Sequence, residues 1–340
     1  MPLARANGGE AIQTRSISMN ELGPIHTRGN SYHGRAEARQ RQYRAQTLRV
    51  AHGPYGHIFA EAPAELGLNF VNEEALSDAR SRRGAGKGVS ERTFNNMLSS
   101  QAMCFNVFAP LSRRAALAAE VLSPFVPGLV QVNSIVIEYT PPKDLFNDQS
   151  GVAGVDCDLL IDGKNEQGQR LLLVIETKFV EPEFSGCGFR KAGRARNGLP
   201  VCPDGIAVHR NHDACLYVSA KRFAYWQRSD EHQLLSDNAR AYAGCQFSGV
   251  AWQLWVNLAL AHEKGRRRGA ADVRFAVCAP RANAKLLQGG AVLAEFRALL
   301  RRPEAVHFID LDGLLRRTQN VAPPELADWA ATLADRYGGI

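Results

Sequence analysis

The chain has 340 residues, 45% of them hydrophobic, which is enough apolar material to bury one large core or two modest ones. Its apolar runs at 170–180 and 250–261 fall short of the roughly 18 uncharged residues of a membrane span and are broken by Glu, Lys or Gln, so no such span is expected. A formal charge of +7, carried mostly by arginine, admits a polyanionic partner, and seven scattered cysteines with no secretory-type apolar opening read as a reduced, cytoplasmic protein without a disulfide framework.

Residues 1–46 are poor in bulky apolar side chains and carry Arg5, Arg15, Arg28, Arg35, Arg39, Arg41 and Arg44 among Gly, Ser and Asn. This composition predicts a mobile basic arm, either solvated or touching phosphate, ahead of a single domain over 47–340. A second basic stretch at 80–87 reads as a flexible turn. It is no phosphate loop, because Ser81 stands where the first Gly belongs and Gly88 where Ser or Thr would hold magnesium. Ser90 is the expected cap of a long helix running to Pro110, with Phe94, Met97, Leu98, Met103, Cys104 and Phe108 at helical spacing. A helix at 113–122 and a strand at 130–139 follow. Strands at 155–161 and 170–179, joined by the turn-prone 163–168, complete a three-stranded meander. Residues 182–213 read as a long loop over the site. Helices at 220–240 and 250–264, strands at 273–278 and 306–311 with a helix between them, and a last helix at 324–337 give an α/β order.

The strongest signal is GVDCDLLIDGKNEQGQRLLLVIETKFVE, where an acidic residue enters one apolar strand and Glu-Thr-Lys closes the next. Side chains alternate along a strand, so Glu176 and Lys178 share a face and Thr177 takes the other. Antiparallel pairing lets Asp158 reach the face of Glu176 and Lys178. Asp158 and Glu176 then offer hard oxygen ligands for a small divalent cation, Mg2+ before Mn2+, and the carbonyl of Thr177 offers a third. Such a cation lowers the pKa of a bound water, while Lys178 orients that water and stabilises the phosphorane-like transition state.

This run resembles the PD-(D/E)XK phosphodiesterase superfamily, with Asp158 and Glu176-Thr177-Lys178 in the motif positions. The resemblance extends to a bacterial restriction-endonuclease-like subgroup through NNMLSSQAMCFNVFAPL from Asn95, IVIEYT from Ile135, VIETKFVE from Val174 and WQLWVNLALA from Trp252. It departs from that pattern at Phe179, where Tyr is usual, and at Val256, where Arg is usual. The resemblance implies an α/β fold with a mixed central sheet flanked by helices. It also implies a magnesium-dependent nuclease acting on nucleic acid, DNA before RNA, with a non-catalytic nucleic-acid-binding or structural member of the same fold as the competing reading.

Other residues carry two readings each. Asp156 points to the same face as Asp158 and is the alternative carboxylate; Asp158 is preferred because it directly precedes Leu159 to Ile161. Glu138, at the end of the first strand, either holds a second cation or water, or is a solvated terminus. Gln101, Asn106, Gln253 and Asn257 are polar residues in apolar helical patterns that either face the site or make packing hydrogen bonds. Glu181 reads as structural. Cys187, Cys202, His209, His212 and Cys215 lack the paired spacing of a zinc site, so none is expected there.

Overall fold

The computed structural model describes residues 18–86, 88–148, 155–191, 202 and 208–340. Its centre is the run Leu171 to Ile175, five consecutive apolar residues at 0% exposure, which only a strand covered on both faces can bury. That strand, β3 (Arg170–Thr177), is the middle of a five-stranded sheet ordered β1 (Leu129–Tyr139), β2 (Cys157–Asn165), β3, β4 (Asp272–Ala279) and β5 (Val306–Asp310). β1, β2 and β3 form the antiparallel meander expected from the sequence, whereas β4 and β5 add in parallel. Parallel addition needs crossover connections, and helices supply them.

The helices fall on the two faces of this sheet. On one side pack α3 (Ser100–Ser112), α4 (Ala115–Leu122), α7 (Leu311–Val321) and α8 (Ala327–Tyr337), over Leu171, Leu173 and Ile175. On the other pack α5 (Ala251–Arg268) and α6 (Ala291–Ala298), over Leu172 and Val174. The strict alternation along β3 between two clusters is the period-2 consequence of a doubly covered strand. α3 contains Pro110, which cannot donate to the carbonyl of Asn106 one turn back. The indole Nε1 of Trp329 on α8 donates to that carbonyl at 2.8 Å, so the gap left by proline becomes a link between helices.

The N-terminal region differs from the arm expected over 1–46. Residues 1–17 lie outside the described residues and 18–31 are largely exposed, but from Tyr32 onward the chain is packed against the body. Ser31 caps α1 (Tyr32–Tyr43) by accepting from the Gly34 N–H, and Glu37, Gln40 and Arg41 of this helix are buried. Arg44 donates to the carbonyls of Gly56 (2.8 Å), Val50 and Glu21 (2.5 Å). These arginines serve as internal staples. Over 32–46 a composition poor in bulky apolar groups was no sign of disorder, because guanidinium groups satisfy loop carbonyls where apolar burial is scarce.

Three helix boundaries also shift. The stretch at 80–87 is helical to Gly84 within α2 (Glu73–Gly84), with Lys87 outside the described residues. The long helix from Ser90 is broken: Asn96 bridges Ile58, the Met97 N–H donates to the His57 carbonyl, and α3 restarts with Ser99 as its cap. The helix expected over 220–240 splits into Tyr225–Glu231 and Asp237–Arg240.

Arg336 on α8 is fully buried and donates to Gln40 Oε1 (2.9 Å) and to the carbonyl (2.6 Å) and side-chain oxygen of Asn69. It also stands over the rings of Tyr43 and Tyr337, so it ties α1 to the C-terminal helix. Arg336→Ala leaves these acceptors buried and unpaired, and we expect a loss of about 3 kcal/mol in urea denaturation. A loss under about 0.5 kcal/mol, the level of an ordinary surface substitution, would contradict the staple. Deleting residues 1–46 should abolish cooperative unfolding, since it removes α1 with Gln40 and Tyr43, two of the partners of Arg336.

Candidate active site

The carboxyl end of β3 carries charge into the interior. Glu176, Thr177 and Lys178 are 3%, 1% and 7% exposed, so each polar atom there must find a partner inside the protein. Alternation puts Glu176 and Lys178 on one face, and Lys178 Nζ lies 2.7 Å from Glu176 Oε1. That face meets α5, whose Gln253 and Asn257 stand one turn apart. Gln253 Nε2 donates to Glu176 Oε1 at 2.6 Å and Asn257 Nδ2 to Oε2 at 2.7 Å. Gln253 is itself fixed, because its Oε1 accepts from the Ser185 N–H at 2.9 Å. Both amides therefore orient Glu176, and Asn257 Oδ1 is left buried without a hydrogen bond.

Asp158 arrives from β2, but not quite as the sequence suggests. The β2–β3 register ends at Leu159 opposite Ile175, and Asp158 lies one residue beyond. Its Oδ2 accepts from the Thr177 N–H (2.6 Å) and the Thr177 hydroxyl (2.7 Å). Thr177 thus holds Asp158 with its amide and side chain, a role the sequence did not reveal because alternation alone sends its hydroxyl away from the pair. Burial first, and the nearby Glu176 charge second, push the Asp158 carboxyl up to about 7 against the opposing pull of Lys178. Lys178 is desolvated, yet Glu176 and Asp158 outweigh this and raise its pKa, so it keeps its proton.

Glu138 is the third carboxylate. It is buried, its Oε1 has no hydrogen bond, and its backbone sits at φ 52°, a region costly for a residue with a Cβ. Burial, then Asp158, raise it to about 9, while a hydrogen bond from Gln101 pulls the other way. Gln101 therefore faces the site, also accepting from the Thr93 hydroxyl. Asp156 adds to the negative charge around Glu138 and Cys157 without joining the Thr177 contacts. Glu181 accepts from the Ser100 hydroxyl (2.5 Å) and the Phe179 N–H (2.7 Å) and so braces the chain after Lys178.

Two of the weighed candidates lie elsewhere. Asn106 is a packing residue, accepting from the Val71 N–H and donating to the Asn69 carbonyl and Tyr337 hydroxyl. Among the thiols and histidines near the long loop, His212 pairs with Asp230 and His209 contacts Gln246. Among the described residues no three ligand atoms converge there.

The raised carboxyls have a measurable consequence. A carboxyl whose folded pKa lies above its unfolded value of about 4 loses stability as pH rises, because the unfolded chain releases its proton first. Burial also lowers His57, His262 and His307 to about 4, which adds stability as pH rises, but only up to the unfolded histidine value of about 6.5. In chelator, denaturation midpoints should therefore fall between about pH 6.5 and about pH 8.5, through the titration of Asp158 and toward that of Glu138. Glu138→Gln should flatten the decline. An unchanged slope in that variant would show that Glu138 does not carry the proton.

Residues 29–196 match the model of a family described as the PD-(D/E)XK nuclease superfamily. The matched stretch runs from just before α1 to beyond Lys178 and includes Glu138, Asp158, Glu176 and Lys178. No curated protein and no solved structure matches the chain. The mixed sheet flanked by helices is the α/β restriction-endonuclease-like architecture that such a family requires. Residues 29–196, which carry the Asp and Glu-Thr-Lys at the ends of neighbouring strands, are thus similar in sequence to the PD-(D/E)XK nuclease superfamily.

Proposed function

We propose that this protein is a divalent-cation-dependent nuclease that hydrolyses phosphodiester bonds of nucleic acid, DNA in preference to RNA. The observation that carries this reading is a charge imbalance: among the described residues, Glu138, Asp158 and Glu176 meet a single ammonium, Lys178, in a site largely withdrawn from water. Buried carboxylates in such excess require either protons or a cation. The donor set suits a hard cation of the magnesium class, with Asp158, Glu176 and the Thr177 carbonyl as its ligands. The oxygens of Glu138, Asp158 and Glu176 do not all lie within 4.8 Å of one another, which fits a cation held by one or two carboxylates rather than a closed carboxylate cage. When bound, the cation would supply an acidified water and neutralise charge on the scissile phosphate.

The chain's own residues supply the rest. Gln253 and Asn257 keep the Glu176 carboxylate in one orientation, and Thr177 does the same for Asp158. Lys178, held as an ammonium, acts as a donor to the reacting phosphate and its attacking water and not as the proton acceptor. The net charge of +7 draws a polyanion toward the protein despite the local carboxylates.

The test is incubation with labelled single- and double-stranded DNA and RNA, in magnesium, manganese or chelator. Glu176→Ala, Lys178→Ala and Asp158→Asn should each reduce metal-dependent cleavage at least about 100-fold, with unfolding still cooperative. Gln253→Ala should cost less, about 10-fold, and Asp156→Asn least. Cleavage that survives in Glu176→Ala or Lys178→Ala would sink the assignment. A larger loss in Asp156→Asn than in Asp158→Asn would transfer the role to the other carboxylate.

A further inference from the structure

Before β1 the chain gathers three histidines and a glutamate from three separate segments. His33 and Glu37 are four apart on α1 and so share one face. His26 comes from the turn before that helix, and the ligand atoms of His26, His33 and Glu37 all lie within 4.8 Å of one another. His57 enters from the loop after α1; its side chain is 5% exposed and its Nδ1 lies 3.4 Å from Glu37 Oε1. That nitrogen makes no hydrogen bond. The His26 ring is 5.9 Å from that of His57 and 6.4 Å from that of His33.

A purely structural reading accounts for Glu37, which accepts from the N–H groups of His26 (2.6 Å) and Thr27 (2.7 Å) and so fixes the turn. It does not account for three imidazoles gathered around that one carboxylate, with the buried His57 Nδ1 meeting Glu37 only at 3.4 Å. We propose that His26, His33, Glu37 and His57 bind one divalent transition-metal ion of the zinc class, at a site separate from the carboxylates of β2 and β3. Tetrahedral ligands at zinc bond lengths stand roughly 3.3 Å apart, close to the separation already present between His57 and Glu37. The exposed His26 and half-buried His33 have room to close the remaining distance. Thr27 Oγ1 lies 3.2 Å from His26 Nδ1, a contact of the kind that fixes an imidazole with Nε2 left to bind. Imidazole ligands favour zinc and disfavour magnesium, so the two sites select different cations. The ion would pin the turn at 26–27, α1 and the loop bearing His57.

The test uses the full chain, freed of metal by chelator and titrated with zinc in the presence of excess magnesium. Wild type should take up a tight equivalent that magnesium does not displace and that raises its melting temperature. His26→Ala, a substitution at an exposed residue, and His33→Gln should each weaken that equivalent by at least about 10-fold and shrink the shift. Cobalt in place of zinc should give visible absorption without a thiolate charge-transfer band. Unchanged zinc affinity in both variants, or a strong thiolate band that persists in them, would overturn the proposal. Because zinc uptake is read without any cleavage assay, its failure is distinct from failure of the nuclease reading.

Discussion

Charge placed at the end of a dry strand is the constraint on which the rest of the site depends. β3 is covered by helices on both faces, so Glu176 and Lys178 leave the apolar run of Leu171 to Ile175 with almost no water to solvate them. Each must be satisfied by protein, and the ion pair between them meets part of that need. An ion pair cut off from water gains stability only where its remaining hydrogen-bonding capacity is also filled. Gln253 and Asn257 fill it from α5, and this explains amides in the middle of an otherwise apolar helix. The same dryness makes Asp158 and Glu138 expensive as anions, and gives a cation a reason to be there.

The surrounding architecture fixes how far these groups can move. α5 packs on one face of β3 and holds Glu176, while α3 lies on the other and brings Gln101 toward Glu138. α3 is in turn tied to α8 through the Trp329 bond to the Asn106 carbonyl, and α8 to α1 through Arg336. Ser100 at the start of α3 reaches Glu181, three residues after the catalytic candidate Lys178. Residues 32–46, the later part of the segment that composition suggested was an arm, are thus continuous with the scaffold around the site. A pre-organised arrangement of this kind is what transition-state stabilisation by fixed charges requires.

Much of this was legible from pattern alone. Five strands form near where hydrophobic alternation or continuous apolar runs put them, although β2 runs on to Asn165 into the expected turn, and the Asp and Glu-Thr-Lys ends stand beside one another because β2 and β3 are joined by a short turn. What was not legible depends on contacts distant in sequence. The packing of α1 rests on arginines bonded to carbonyls of remote loops, which no local window reports. The break between Asn96 and Ser99 comes from pairing with residues 57 and 58, and overrides helical periodicity. Asp158 lies one residue beyond the paired stretch of β2 and β3, so its carboxylate turns onto Thr177, which no local pattern reports. Gln253 and Asn257 were visible as misfits in an apolar stripe, yet their common partner Glu176 emerges only when α5 is laid across β3.

Whether the carboxylates of β2 and β3 form a cation site is decided by thermal unfolding with and without millimolar magnesium. Wild type should melt higher in magnesium, since an ion that binds only the folded chain stabilises it by mass action. In Asp158→Asn the metal-free protein should melt at or above the wild-type temperature, because a repulsive buried charge has been removed, and its shift with magnesium should shrink. Equal magnesium shifts in the two proteins would place the cation elsewhere and leave the buried carboxylates without a cation partner.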